Sequence, residues 1–342
     1  MKAVVFHEHG GLEVLKYEDV PTPEISPREV LVRVRACALN HLDIWVRQGM
    51  PTVKIPLPHI LGCDIAGEVA QIGSQVKGFH AGDRVMVAPG ISCGNCEYCA
   101  SGWDSLCDEY AILGYQVDGG YAEYARVPAE NLIPISDKWS WEEWAAVPLV
   151  FLTAWHMLFT RAGLGPGEGV LVHAAGSGIG TAAIQLAKLA GARVIVTAGS
   201  DEKLERARQL GGDEGINYTK EDFPKAVRRL TGNRGVEVVF EHIGQETFEK
   251  SLTCLAKGGR LVTCGATSGP GANLDLRFLF SRQFSILGSY MGGRKELWEV
   301  LRLVEAGKVR PVVDAVFPLA EAVTAQERML SRRVFGKLVL RP

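Results

Sequence analysis

From Gly169 onward the chain alternates short apolar runs with amphipathic helical stretches, and this alternation restricts the fold more than any other feature. Val170-Leu171-Val172-His173 predicts a buried strand, 179–189 a helix, Arg193-Val194-Ile195-Val196 a second strand and 201–210 a second helix. Further helices are expected at 221–230 and 246–255, with strands at 236–240 and 260–263. Strands separated by helices of this length cannot form hairpins. They pair in parallel through crossover connections, so the expected class is α/β with a doubly wound parallel sheet.

The turn after the first of these strands reads Ala174-Ala175-Gly176-Ser177-Gly178-Ile179-Gly180 and leads straight into a helix. Small residues let the backbone approach a pyrophosphate, and the helix N-terminus offers unpaired N–H groups and a positive dipole end. Ala175, Gly176, Ser177, Gly178, Ile179 and Gly180 are therefore expected to line a dinucleotide site, the Ser177 hydroxyl bonding a phosphate. At the tip of the second strand, Thr197-Ala198-Gly199-Ser200 lacks the carboxylate that holds the ribose of NAD. With Ser200 and Lys203 placed to take a 2′-phosphate, and Tyr218 near the adenosine phosphate, NADP(H) is preferred over NAD(H). Asp201 argues the other way unless it only caps its helix.

Residues 1–150 differ in texture, with short β-like runs broken by glycines, and predict a compact β domain. Within it Cys93, Cys96, Cys99 and Cys107 are separated by two, two and seven residues. Such gaps let a tight loop present four thiolates to one tetrahedral Zn²⁺, a closed structural site with one metal per chain. Two disulfides, or four free thiols in a surface loop, are the alternatives. Near Trp139 the pattern changes: Ser140 can cap a helix, Glu142 and Glu143 suit its first turn, and an apolar segment runs on to Phe159. The 342 residues suit two domains, and the tail, with a helix at 295–305 and the strand Lys337-Leu338-Val339-Leu340, is too small to fold alone. The expected partition is 1–150, 151–288, and 289–342 returning to complete the first domain.

Pro58-His59-Ile60-Leu61-Gly62-Cys63-Asp64-Ile65-Ala66-Gly67-Glu68-Val69, the four-cysteine cluster and the glycine-rich turn together resemble the medium-chain dehydrogenase/reductases, over essentially the whole chain. That superfamily includes zinc-containing alcohol dehydrogenases and quinone oxidoreductases. The resemblance implies a GroES-like catalytic domain interrupted by a Rossmann domain, with the active site in the cleft between them and the four-cysteine lobe as the structural zinc. It also implies a catalytic zinc held by a cysteine, a histidine and a second cysteine, and at those positions this chain has Asn40, Cys63 and Leu149. Leucine cannot bind zinc and an asparagine amide binds it poorly.

Asn40 is instead similar to the quinone oxidoreductase branch, which works without a catalytic metal, although Trp45 stands where that branch often has tyrosine. In that branch hydride passes from nicotinamide to a carbonyl, quinone or enone, and Asn40 becomes the candidate donor to the developing oxyanion. A zinc-dependent alcohol dehydrogenase with irregular ligands drawn from Cys63, Asp64, His41 and His59 is the alternative, and a non-catalytic nucleotide-binding structural protein a third reading. The resemblance further implies Thr153, Gly265, Ala266 and Ser289 beside the nicotinamide half of the cofactor, and Lys337 at its pyrophosphate.

A net charge of −2 gives no electrostatic footprint for nucleic acid. The N-terminus begins in strand-like alternation with no signal-length apolar run, and the stretch 145–158 is too short and too interrupted to span a bilayer. A cytoplasmic protein acting on a small carbonyl, quinone, enone or alcohol is expected, without membrane partners. The strand-like segment near 284–287 suits a homodimer through sheet extension, or a homotetramer.

Overall fold

The computed structural model describes residues 1–50 and 53–342. The chain folds as two compact units, the first made of Met1–Leu149, Gly293–Glu305 and Pro311–Pro342, the second of Val150–Gly292 and Ala306–Arg310. The second unit therefore takes in 289–292 and 306–310, which the sequence reading assigned to the tail. Two contacts explain this: the Ser289 N–H donates to the Thr263 carbonyl at 2.9 Å, and the Gln185 amide bonds both main-chain groups of Arg310, at 2.9 and 3.0 Å.

The first unit is built on a twisted sheet. Its long strand β1 (Glu29–Ala38) leads through Asn40 into helix α1 (His41–Gln48), then come β2 (Asp64–Ile72), β3 (Arg84–Val87), β4 (Tyr124–Pro128) and β5 (Leu132–Pro134). β1 and β2 run antiparallel with Ala38 opposite Asp64 and Cys37 opposite Ile65. That register sets Asp64 beside the chain where it leaves β1 for α1. The Asp43 carboxylate reaches back to accept the Asn40 N–H at 2.7 Å, which satisfies a donor at the helix start.

The apolar stretch after Ser140 is not one helix. Ser140 and Glu143 cap a short helix, Trp141–Ala145, and a new one runs Pro148–Trp155 before widening at His156–Arg161. Pro148 causes the break, because proline cannot donate and disfavours helical geometry in the residue before it.

The second unit carries β6 (Gly169–Val172), α2 (Gly178–Leu189), β7 (Arg193–Ala198), α3 (Asp201–Gln209), β8 (Glu214–Asn217), α4 (Phe223–Leu230), β9 (Val236–Glu241), α5 (Phe248–Cys254), β10 (Leu255–Thr263) and β11 (Ser285–Gly288). All six strands are parallel in the order β8-β7-β6-β9-β10-β11. The order reverses at β6, so a crevice opens where its carboxyl end meets that of β9. Leu171, Ile195, Val239 and Leu261 are fully buried at the sheet centre under Phe223, Val227 and Leu252. α4 starts two residues later than its sequence pattern implies, because Asp222 caps it and Pro224 sits in its first turn.

The chain then re-enters the first unit through α6 (Arg294–Glu305), β12 (Val313–Pro318) and β13 (Lys337–Arg341). β13 lies between β12, parallel to it, and β1, antiparallel to it with Val339 opposite Ala38.

Candidate functional site

At the carboxyl end of β6 the backbone turns sharply, Ala174 adopting φ +49°. Ser177 caps α2 by accepting the Gly180 N–H at 2.9 Å, which leaves its hydroxyl hydrogen available as a donor. Gly180 packs α2 onto the turn so closely that a Cβ there would stand 2.4 Å from the Ala174 carbonyl oxygen. A helix start of this kind presents backbone N–H groups to an anion.

A buried polar network braces the turn from below. His173 bonds Thr197 Oγ1 at 3.1 Å through Nδ1 and Ser251 Oγ at 2.8 Å through Nε2, and the Ser251 hydroxyl donates to Glu241 Oε2 at 2.8 Å. Glu241 Oε1 accepts the N–H of Ile243, the N–H of Gly244 and the Thr247 hydroxyl. Burial lowers His173 to about 4, so the ring is neutral and can both donate and accept. In the sequence His173 reads as a strand residue only. A polar side chain closing an apolar strand at a nucleotide turn was the available signal.

Two hydroxyls expected beside nicotinamide, Thr153 Oγ1 and Ser289 Oγ, are buried without a hydrogen-bond partner among the described residues. An orphaned buried hydroxyl is costly unless a ligand completes it, so this pair and the turn fit a nicotinamide dinucleotide. Gly265 and Ala266 follow β10 near the same strand ends. At the tip of β7, Ser200 caps α3 by accepting the Lys203 N–H at 3.3 Å. Tyr218 is half exposed, with its hydroxyl close to Gly199. The Asp201 carboxylate is engaged by Asn217 at 2.7 Å and by Lys220.

In the first unit, Asn40, Cys63, Asp64 and Lys337 form one buried cluster. Asn40 Nδ2 donates to Asp64 Oδ2 at 2.9 Å and lies 3.3 Å from Cys63 Sγ. Lys337 Nζ donates to Asn40 Oδ1 at 2.5 Å and to Asp64 Oδ2 at 2.9 Å, and the Leu149 N–H holds Asp64 Oδ1 at 2.8 Å. Lys337, expected at the cofactor's pyrophosphate, thus points into this cluster, and β13 carries it there because Leu39 N–H bonds the Leu338 carbonyl. Burial pushes the Cys63 thiol well above its usual range.

The histidines do not join it. His41 opens α1 with its ring against Trp45, and His59 lies 3.3 Å from Asp118 and edge-on to Phe6. Among the described residues, the one group of three or more His, Cys, Asp or Glu side chains close enough to share a metal is Cys93, Cys96, Cys99 and Cys107.

Those four sulfurs lie within 4.8 Å of one another, Cys96 to Cys99 at 3.5 Å and Cys93 to Cys99 at 3.9 Å. A tetrahedron of thiolates about 2.3 Å from zinc places them roughly 3.8 Å apart, whereas a disulfide needs about 2.0 Å. The donor set fits zinc and not the disulfide alternative. Gly94 and Gly102 take φ values of +77° and +81°, as the bends around such a centre require. The start of α6 anchors the lobe through the Arg294 N–H, which donates to the Asp104 carboxylate at 3.1 Å.

Residues 26–137 match the family described as the alcohol dehydrogenase GroES-like domain, and 178–306 match the zinc-binding dehydrogenase family. The chain is 36% identical to the NAD-dependent alcohol dehydrogenase of Sulfolobus acidocaldarius, over 100% of this chain and 99% of that one. It is also 36% identical, with the same coverage, to the quinone oxidoreductase of Pseudomonas aeruginosa. A crystal structure described as an NAD-dependent alcohol dehydrogenase superposes with a TM-score of 0.97 at 52% identity, over the full length of both chains. With a GroES-like domain, a Rossmann-type parallel sheet and these relatives, the chain belongs to the medium-chain dehydrogenase/reductase superfamily, among the zinc-type alcohol dehydrogenases and quinone oxidoreductases.

Proposed function

We propose that this oxidoreductase transfers hydride between NADP(H) and a small carbonyl, quinone or enone without a catalytic zinc, and that its Cys93, Cys96, Cys99 and Cys107 hold one structural zinc per chain. The observation that carries the reading is the Asn40–Asp64–Lys337 cluster. Where the resemblance implied three zinc ligands, the chain has an asparagine, a cysteine and a leucine, and Lys337 Nζ bonds Asn40 and Asp64 among them.

A nicotinamide cofactor, when bound, supplies or accepts the hydride at C4. The N–H groups at the start of α2 bind its pyrophosphate, and the His173 network keeps that turn rigid. The Thr153 and Ser289 hydroxyls, without partners among the described residues, orient the carboxamide. Preference for the 2′-phosphate rests on Asp201, whose carboxylate is already tied to Asn217 and Lys220, and on Ser200, Lys203 and Tyr218 nearby. NAD with an alcohol substrate is the second reading, favoured by the names of two similar proteins.

Metal analysis combined with steady-state assays separates the two. The proposal expects about one zinc per chain and oxidation of NADPH by a simple quinone or enone that survives chelation. Two zincs per chain, with alcohol oxidation abolished by a chelator, would establish the second reading.

A further inference from the structure

The cluster that replaces a metal site also assigns a donor, and it is not Asn40. Both amide hydrogens of Asn40 are engaged, by Asp64 Oδ2 and by the Cys63 sulfur, with the Ala38 carbonyl at 3.5 Å as a further acceptor. Its oxygen is taken by Lys337. An amide so enclosed has no N–H left for a substrate oxygen. Lys337 differs, because an ammonium carries three N–H donors and only two are matched by acceptors among the described residues.

The surroundings make that third N–H unusual. Lys337 is 3% exposed, Asp64 0% and Asn40 6%, so the charge is held in a medium poor in water, where it acts strongly on nearby developing charge. Its two partners cannot swing away: Asp64 is pinned by the Leu149 N–H, and Asn40 sits at the junction of β1 and α1, which β13 flanks. A fixed, desolvated cation can stabilise developing negative charge as a Lewis-acid metal would.

We propose that Lys337 Nζ is the electrophile of this enzyme, its third N–H donating to the oxygen of the carbonyl, quinone or enone. This rests on the hydride-transfer reading above. As hydride bonds to the carbonyl carbon, or to the β-carbon of an enone, the π electrons move to oxygen and the nicotinamide is oxidised. Lys337 stabilises the alkoxide or enolate by hydrogen bonding and keeps its own proton. Water then protonates the product. Asn40 and Asp64 act through Lys337 as positioning residues.

The test compares wild type with Lys337→Met, and with Lys337→Met/Asp64→Asn so that no buried carboxylate is left unpaired. Turnover is measured at saturating NADPH with a quinone or enone, and NADPH affinity by fluorescence. The expected result is a kcat lower by about 10²- to 10³-fold in both variants, with the NADPH dissociation constant within threefold of wild type. In Lys337→Ala, ethyl- or propylammonium should restore part of the rate saturably. A dissociation constant weakened tenfold or more with kcat retained would overturn the proposal in favour of pyrophosphate binding, and loss of kcat without any rescue would assign Lys337 a structural role.

A second readout needs no turnover. p-(Dimethylamino)cinnamaldehyde, bound with NADP in its oxidised form, reports polarisation of its carbonyl as a red shift that Lys337→Met should abolish. The shift in a wild type inactive with every acceptor would keep Lys337 as the donor and sink the hydride-transfer reading. Turnover unaffected by Lys337→Met, with no change in the shift, would sink the donor and leave that reading standing.

Discussion

Replacing Gly180 by alanine tests whether the nucleotide turn depends on the close approach of α2. The added Cβ would stand 2.4 Å from the Ala174 carbonyl oxygen and 2.9 Å from Ser177 Oγ. An ordinary carbon–oxygen contact needs about 3.4 Å, so the helix start and the turn must separate by roughly 1 Å. Overpacking of this kind costs about 1–3 kcal/mol, while alanine's helix preference returns up to about 1 kcal/mol. The net loss is therefore about 0–3 kcal/mol, small enough for the variant to fold. Cofactor binding should suffer more. A hydrogen bond to a charged phosphate contributes about 1.5–3 kcal/mol and is lost when stretched by about 1 Å. The NADPH dissociation constant should rise about 10- to 100-fold in a fluorescence titration, beside a midpoint change in urea unfolding consistent with the smaller loss. A variant more stable than wild type that binds NADPH equally well would refute the reasoning.

Cys107→Ser should release the structural zinc, measured by metal analysis, and destabilise the lobe by about 2–5 kcal/mol before it alters hydride transfer, by analogy with other covalent and metal staples. A mutant that kept its stability and lost turnover would reverse that division of roles. Lys203→Ala should weaken NADPH about tenfold and leave NADH within twofold, as paired titrations would reveal. Asp43, 1% exposed, is raised from 3.8 to about 6 by burial, against which the Asn40 N–H and the Tyr121 hydroxyl pull in the other direction. Between these values the folded protein binds more protons than the unfolded chain, so this group adds stability as pH falls from 7 toward 4 and loses it as pH rises through about 6. The difference in stability between wild type and Asp43→Asn should shift by about 2–2.5 kcal/mol over that window in urea melts, and a flat difference would contradict the assignment.

The parallel sheet was legible because its signals are local. Apolar runs of strand length alternating with helical stretches announce each element within a few residues, while the caps Ser177, Ser200 and Asp222 emerge only in the structure. The four-cysteine lobe was legible for the same reason. Lys337 was not: it meets Asn40 across nearly the whole chain, through the pairing of Val339 with Ala38, and no spacing in the sequence encodes that pairing. The resemblance sent its side chain to the pyrophosphate instead. Asn40 shows a second limit, since its residue type suggested a donor and only the positions of Asp64 and Cys63 reveal that its hydrogens are engaged.

The strand that delivers Lys337 is also translated after the entire nucleotide-binding unit. During synthesis the parallel sheet has all its strands while the first unit still lacks the one that fits between β1 and β12. A nascent chain arrested before Lys337 would thus carry a complete dinucleotide fold and no fixed cation. The order of translation makes β13 the last strand to enter a sheet whose first is β1, so Lys337 takes its place only as that sheet closes.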